Sequence, residues 1–218
     1  MAKVTVVKDF MTNVPFFRNA ATNVEYRRIV GGLAWPDGGK QGCAVILGEL
    51  RNSDNTLQNR HHIHRLDERL FDDVSNVVAA AATMQDEWMT TIWATPINDS
   101  RVYLIDDYND ERRKMRRPGL RYGNPYRWAG KGEGLISYYM ELVVRRTRDE
   151  KTLTFNLPSA CADAISKLDS RDEDRKPTDF PAAAALFFAL AEIDGNPMPL
   201  WGRRERIDMG PADLVGGY

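Results

Sequence analysis

The sequence lacks most of the features that would place it at once. Two cysteines, Cys43 and Cys161, in 218 residues argue against a disulfide framework and fit a reducing compartment. No stretch approaches the ~18–20 apolar residues of a membrane span. The opening MAKVTVVKDFMTNVPFF has no long apolar run of a secretory signal, so the chain is expected to be soluble and cytoplasmic, with no membrane partner. Neither charge dominates: 30 Lys+Arg oppose 31 Asp+Glu, and any nucleic-acid signal has to come from local clustering. There is no internal repeat, no Gly-x-x-x-x-Gly-Lys-Ser/Thr loop, no Gly-x-Ser-x-Gly elbow and no dinucleotide fingerprint. What the chain does have is apolar material: 43% hydrophobic and 10% aromatic residues, enough for one domain with a sizeable core.

The hydrophobic pattern divides this material into elements. Residues 1–25 show no clear period and read as an N-terminal arm or a short leading strand. Tyr26 to Ala34 and Gly42 to Leu50 read as strands flanking the turn Trp35-Pro-Asp-Gly-Gly-Lys-Gln, an antiparallel hairpin. Arg60 to Leu66 is a more polar third strand. From Phe71 to Trp88, apolar residues recur every three or four positions around an alanine run, which predicts a helix with Asp72 and Asp73 in its first turn. Met89 to Ala94 and Arg101 to Ile105 are candidate buried strands. Gly134 to Thr147 is a helix, Thr152 to Leu157 a strand, and Ser159 to Leu168 a helix with Ser159 as its cap. Thr178 to Ile193 is apolar almost all round and predicts a buried helix. Residues 194–218 are rich in Gly, Pro and charge and read as a C-terminal tail. This order predicts an α/β fold, a mixed sheet of an antiparallel meander plus parallel strands flanked by helices. It is the order of the ribonuclease H-like fold, here spanning residues 26–193.

The second half carries a more specific likeness. The segment Tyr122-Gly-Asn-Pro-Tyr-Arg-Trp-Ala-Gly-Lys131 and the helix after it, Thr152 to Leu168, and Thr178-Asp-Phe-Pro-Ala-Ala-Ala-Ala-Leu186 resemble the C-terminal nuclease domain of phage terminase large subunits. Gly31 to Gly48 resembles that family's first hairpin. The resemblance implies a Mg²⁺- or Mn²⁺-dependent DNA endonuclease of phage or prophage origin, acting in the host cytoplasm with a separate packaging ATPase or portal protein. In that family carboxylates from separate elements hold two divalent ions about 3.5–4 Å apart. The first acid belongs near Leu33 or Ala34 and the second near Ala94 or Thr95, and neither place holds one. Asp37, Asp99, Asp106 and Asp107 lie nearby in sequence, and Asp179 falls where the pattern wants its acid. If the protein is active, the candidate catalytic and metal-binding set is therefore Asp37, Asp106 or Asp107, and Asp179. Each also has a plain reading: Asp37 as a turn residue, Asp106 and Asp107 as the end of a strand, Asp179 as a favourable charge at a helix start. The missing acids suit the other expectation, a catalytically degenerate relative that serves as a DNA-binding or virion-assembly adaptor.

Both expectations need the basic segment 112–131. It holds eight Lys/Arg and no acid: Arg112, Arg113, Lys114, Arg116, Arg117, Arg121, Arg127 and Lys131, interleaved with Tyr122, Tyr126 and Trp128. Cations pair with phosphates while aromatics stack on bases, so this segment is the candidate DNA-binding surface. A solvated loop balancing the acidic run before it is the plain alternative. Arg60-His-His-Ile-His64 lacks a Cys or acidic partner at ligand spacing and reads as a half-exposed sheet edge. Cys43 and Cys161 sit among apolar residues and read as packing groups.

Overall fold

The computed structural model describes residues 2–36, 38–51, 62–95, 100–123, 143, 145–147, 152–155, 158–168 and 180–195. Its organising element is the ten-residue strand β3 (Glu25–Ala34), which turns back into β4 (Gly42–Leu50) and then β5 (Ile63–Phe71), all antiparallel. Before it stand β1 (Val4–Lys8) and β2 (Pro15–Asn19), an antiparallel hairpin joined to the start of β3 through Phe17 and Arg18. The second half of β3 takes a different neighbour on the same side: β6 (Trp93–Ala94) runs parallel to Gly31 and Gly32. Next, β7 (Tyr122–Gly123) adds parallel to β6, and β8 (Leu153–Thr154) adds parallel to β5.

Four helices can be given bounds among the described residues: α1 (Val74–Trp88), α2 (Tyr103–Lys114), α3 (Ala160–Leu168) and α4 (Pro181–Gly195). Without the N-terminal hairpin and β8, the sheet order is β5-β4-β3-β6-β7: an antiparallel meander followed by two parallel additions. That is the ribonuclease H-like order expected from the sequence.

The period of two along β3 and β4 feeds two separate cores. Ile29, Leu33, Ala44 and Ile46 face α1 together with Val77, Ala81, Met84 and Trp88. Val30, Ala34, Cys43, Val45 and Leu47 face the other way, against Leu186, Phe187, Leu190 and Ile193 of α4. A helix that is apolar on all sides has to be covered, and ten consecutive residues, 182–191, include only one, Ala184, that is not fully buried. Two adjacent glycines let both layers come close. A Cβ on Gly31 would stand 2.3 Å from the Trp93 ring, and one on Gly32 only 1.9 Å from the Ala185 carbonyl oxygen.

Distant charges close the ends of these elements. The buried Glu49 receives Arg27 and, at 3.1 Å, Arg28, and Arg28 also donates to the Ile193 carbonyl in the last turn of α4. Glu68 accepts from the Ser159 hydroxyl at 2.9 Å and from the Ala160 and Cys161 amides, so a side chain of β5 caps the start of α3. Ser159 itself accepts from the Ala162 amide, as its position in the sequence predicts.

Several expectations need correction. Arg101 to Ile105 is not a strand: a single 3-10 turn at Ser100–Val102 leads into α2. The buried Val102 and Ile105 are spaced for a helix, and polar residues continue the stripe through Asn109 and Arg112. A five-residue window rich in β-branched and aromatic residues concealed that period. Asp106 and Asp107 therefore lie in the first half of a helix and end no strand. Phe71 closes β5, and α1 starts later, with Asp73 as its N-cap accepting from the Ser75 amide. Of Met89 to Ala94 only Trp93 and Ala94 enter the sheet, and Met89 ends α1 in the left-handed conformation at φ 51°. His64 pairs with Thr154 of β8, so it is interior to the sheet and not at an edge. Of the helix expected over 134–147, Val143 and residues 145–147 are described, and they are helical.

Candidate functional site

Strands β3 and β6 run parallel and end side by side, Gly32 opposite Ala94. Ala34 and Ala94 point into the core beneath α4, the helix whose first turn follows Asp179. The places at which the resemblance expects two carboxylates are thus brought together by the fold, and both hold a buried methyl group, Ala34 at 6% and Ala94 at 0% exposure. One residue further on, the buried Trp35 indole N–H donates to the buried Thr95 hydroxyl at 3.1 Å, tying the two strand ends to each other. Divalent ions such as Mg²⁺ or Mn²⁺ need hard, charged oxygen ligands. Two alanines, an indole and a hydroxyl already used as an acceptor do not fit that need.

Asp106 and Asp107 lie on α2, exposed to solvent. Asp106 accepts a hydrogen bond from the Tyr122 hydroxyl at 2.9 Å, linking α2 to β7. Partial burial and that carboxylate raise the Tyr122 pKa above its ordinary value. Asp37 and Asp179 are outside the described residues, as is Asp99. Among the described residues no three His, Cys, Asp or Glu side chains gather as a metal set. An open cleft of about 350 Å³ beside the start of α4 is lined by Lys40, Lys167, Leu70 and Phe180, with Asp163 as its one acid among the described residues. The Cys43 thiol and burial push the Cys161 thiol well above its ordinary pKa, which keeps it protonated and unreactive. His64 is held down by burial and by His62, and its Nδ1 lies 3.3 Å from the Tyr26 hydroxyl.

The basic segment is described as far as Gly123, and Arg127, Trp128 and Lys131 lie outside the described residues. Within it the cations divide into two groups. Arg112 turns back onto the protein, donating to the Pro118 carbonyl at 2.9 Å and approaching Asp86 at 3.6 Å. Arg113 and Lys114 pair with Asp110 and Glu111 one turn earlier, at 2.9 and 2.5 Å. Arg116, Arg117 and Arg121 are exposed and form no ion pair among the described residues. Their backbone is well anchored. The Arg116 amide bonds to the Arg113 carbonyl and the Arg117 amide to the Arg112 carbonyl, with Arg116 left-handed at φ 56°, which is the Schellman way of ending a helix. The Asn109 amide then clasps Leu120 through both its N–H (2.7 Å) and its C=O (2.9 Å), while Gln85 holds the Gly119 carbonyl. Three guanidinium groups with no ion pair among the described residues therefore stand on a braced ledge at the end of α2. Local density of Arg and Lys pointed to this surface; which of them are already neutralised is set by helical spacing within a segment whose start the strand reading had missed.

The sheet order and the crossing of α4 define a ribonuclease H-like α/β domain. No protein-family model matches the sequence, and no curated protein matches it. Among solved structures, it is similar to the nuclease domain of the large terminase of bacteriophage SPP1, solved with bound Mn. That match has 13% identity and a TM-score of 0.45 over 75% of this chain and 85% of that one. A second likeness is to the fowlpox virus Holliday junction resolvase, at 12% identity and a TM-score of 0.42 over 76% of this chain and 97% of that one. No residue role is carried over from either.

Proposed function

We propose that this domain keeps the ribonuclease H-like scaffold and uses it to hold DNA without cutting it. The observation that carries the reading is the pair of strand ends where Ala34 and Ala94 are buried and the Trp35–Thr95 hydrogen bond fills the place of metal ligands. Phosphate binding falls to Arg116, Arg117 and Arg121, whose backbone is fixed before any ligand arrives. A preformed ledge loses little conformational entropy on binding, and three phosphate contacts make affinity depend on salt. The adaptor role in a packaging or assembly machine is the finer form of this reading.

The test is fluorescence anisotropy of a labelled duplex across a KCl series. The wild-type chain is expected to bind with log K falling steeply with log[KCl]. The R116E/R117E/R121E variant is expected to lose binding and to flatten the slope by about 2.7, the value for three phosphates. Equal binding by the two proteins would overturn the assignment of this ledge.

A further inference from the structure

The N-terminal hairpin ends in a turn that carries two large apolar side chains at its tip. Phe10 is 99% and Met11 87% exposed at its tip, where polar residues serve the backbone better. The turn is nevertheless well built. The Asp9 carboxylate accepts from the Met11 and Thr12 amides, both at 2.8 Å, and the Asp9 carbonyl accepts from the Asn13 amide at 2.9 Å. Asn13 takes the left-handed conformation that closes it, at φ 56°. From outside, Arg51 pairs with Asp9 and lays its guanidinium over Phe16 at 3.9 Å. The result is a braced hairpin that holds two large apolar side chains in water.

The geometry points to a wedge that enters a DNA base step. This inference rests on the DNA-holding reading above. Area speaks against a protein partner as the main occupant: Phe10 and Met11 together offer roughly 300 Å², against about 800 Å² per partner in a stable protein interface. A wedge needs no more than that, because phosphate contacts elsewhere supply the affinity, and Phe and Met are among the residues that unstack base steps in this way. Charge agrees. The one acid of the tip, Asp9, is neutralised by Arg51, and the exposed Lys8 precedes it. Placement agrees too. The hairpin starts where the Lys3 amide bonds to the Glu87 carbonyl, and the basic ledge leans on the same turn of α1 through Arg112 and Asp86. From Lys3 to the tip is roughly 20 Å of strand, the rise of about six base pairs.

The experiment uses the full chain and a 14-base-pair duplex with 2-aminopurine beside a central T-A step, with anisotropy and sedimentation velocity run on the same samples. Wild-type binding is expected to raise 2-aminopurine fluorescence several-fold by unstacking it. In F10A/M11A, which removes two side chains that stand exposed, the rise is expected to vanish and affinity to fall about tenfold with the salt slope unchanged. Binding by both proteins with silent 2-aminopurine would overturn the wedge and leave the DNA-holding reading standing. Absence of binding by wild type at low salt would remove that reading and the wedge with it. A wild-type dimer that F10A/M11A converts to monomer, again with silent 2-aminopurine, would assign the tip to a second copy of the chain and overturn the wedge.

Discussion

Replacing Gly32 by alanine should cost more than any other single methyl group added to this sheet. The new Cβ would stand 1.9 Å from the Ala185 carbonyl oxygen and 2.9 Å from the Ala189 nitrogen, both of them backbone atoms of α4. A side chain could rotate away, but a helix backbone has to move as a body. To reach ordinary van der Waals contact α4 must retreat by about 1.5 Å, and a gap of even 1 Å forfeits up to half of a dispersion well. Leu186, Leu190 and Ile193 would retreat with it from Val30, Val45 and Leu47. We expect a loss of about 3 kcal/mol, the upper end of what an overpacked core costs, and a melting temperature lower by roughly 10 °C for a chain of this size. Urea unfolding followed by circular dichroism measures it. A Gly32→Ala midpoint within about 0.5 kcal/mol of wild type would refute the close approach of α4 to β3.

Other perturbations act on the helix caps and the buried ionisable groups. Glu68→Ala leaves the Ser159 hydroxyl and the Ala160 and Cys161 amides without their acceptor, and should cost about 1–2 kcal/mol in urea unfolding, with α3 losing amide-exchange protection first. Asp67, which accepts from Lys3 and Trp88, has its pKa lowered despite the opposing effect of burial. Its contribution is therefore complete above the ordinary value near 3.8 and lost as pH falls through the lower folded value, so Asp67→Asn should flatten the acid limb of stability below pH 4. His64 has the opposite charge type: its folded pKa lies below 6.5, chiefly through burial, so below that pH the unfolded chain takes up a proton that the folded one refuses. Stability should fall as pH drops from 6.5 towards the folded value, and His64→Gln should remove that slope in urea titrations at pH 7 and 5.

How far the sequence carried this far depended on the range of each interaction. Strands β3 and β4, the stripe of α1 and the apolar α4 were legible because burial imposes a period on every residue of a long element. Trp93–Ala94 and Leu153–Thr154 fall within segments that read as strands, but Tyr122–Gly123 was not legible, because it owes its place to pairing with β6 and not to its own pattern. Helix α2 was misread because only its first residues are apolar, while its period is completed by Asn109 and Arg112, which pack through hydrogen bonds. In the candidate site, the missing acids at Ala34 and Ala94 were visible from residue identity alone. The Trp35–Thr95 bond that joins their strands spans 60 positions, and no local pattern encodes it. The same holds for Glu68, which caps a helix more than 90 residues away. The ledge at Arg116, Arg117 and Arg121 was visible as charge density but not as a braced surface.

A domain that holds DNA without cutting it should retard a plasmid and leave it whole. The most direct measurement incubates supercoiled plasmid with the full chain and MnCl₂ or EDTA, reading topology and gel retardation from the same samples. Salt-sensitive retardation is expected, the same with Mn²⁺ and with EDTA, with plasmid that stays supercoiled. Nicking that requires Mn²⁺ and disappears in Asp179→Ala would contradict the DNA-holding reading and make the protein a nuclease with a rearranged set of acids.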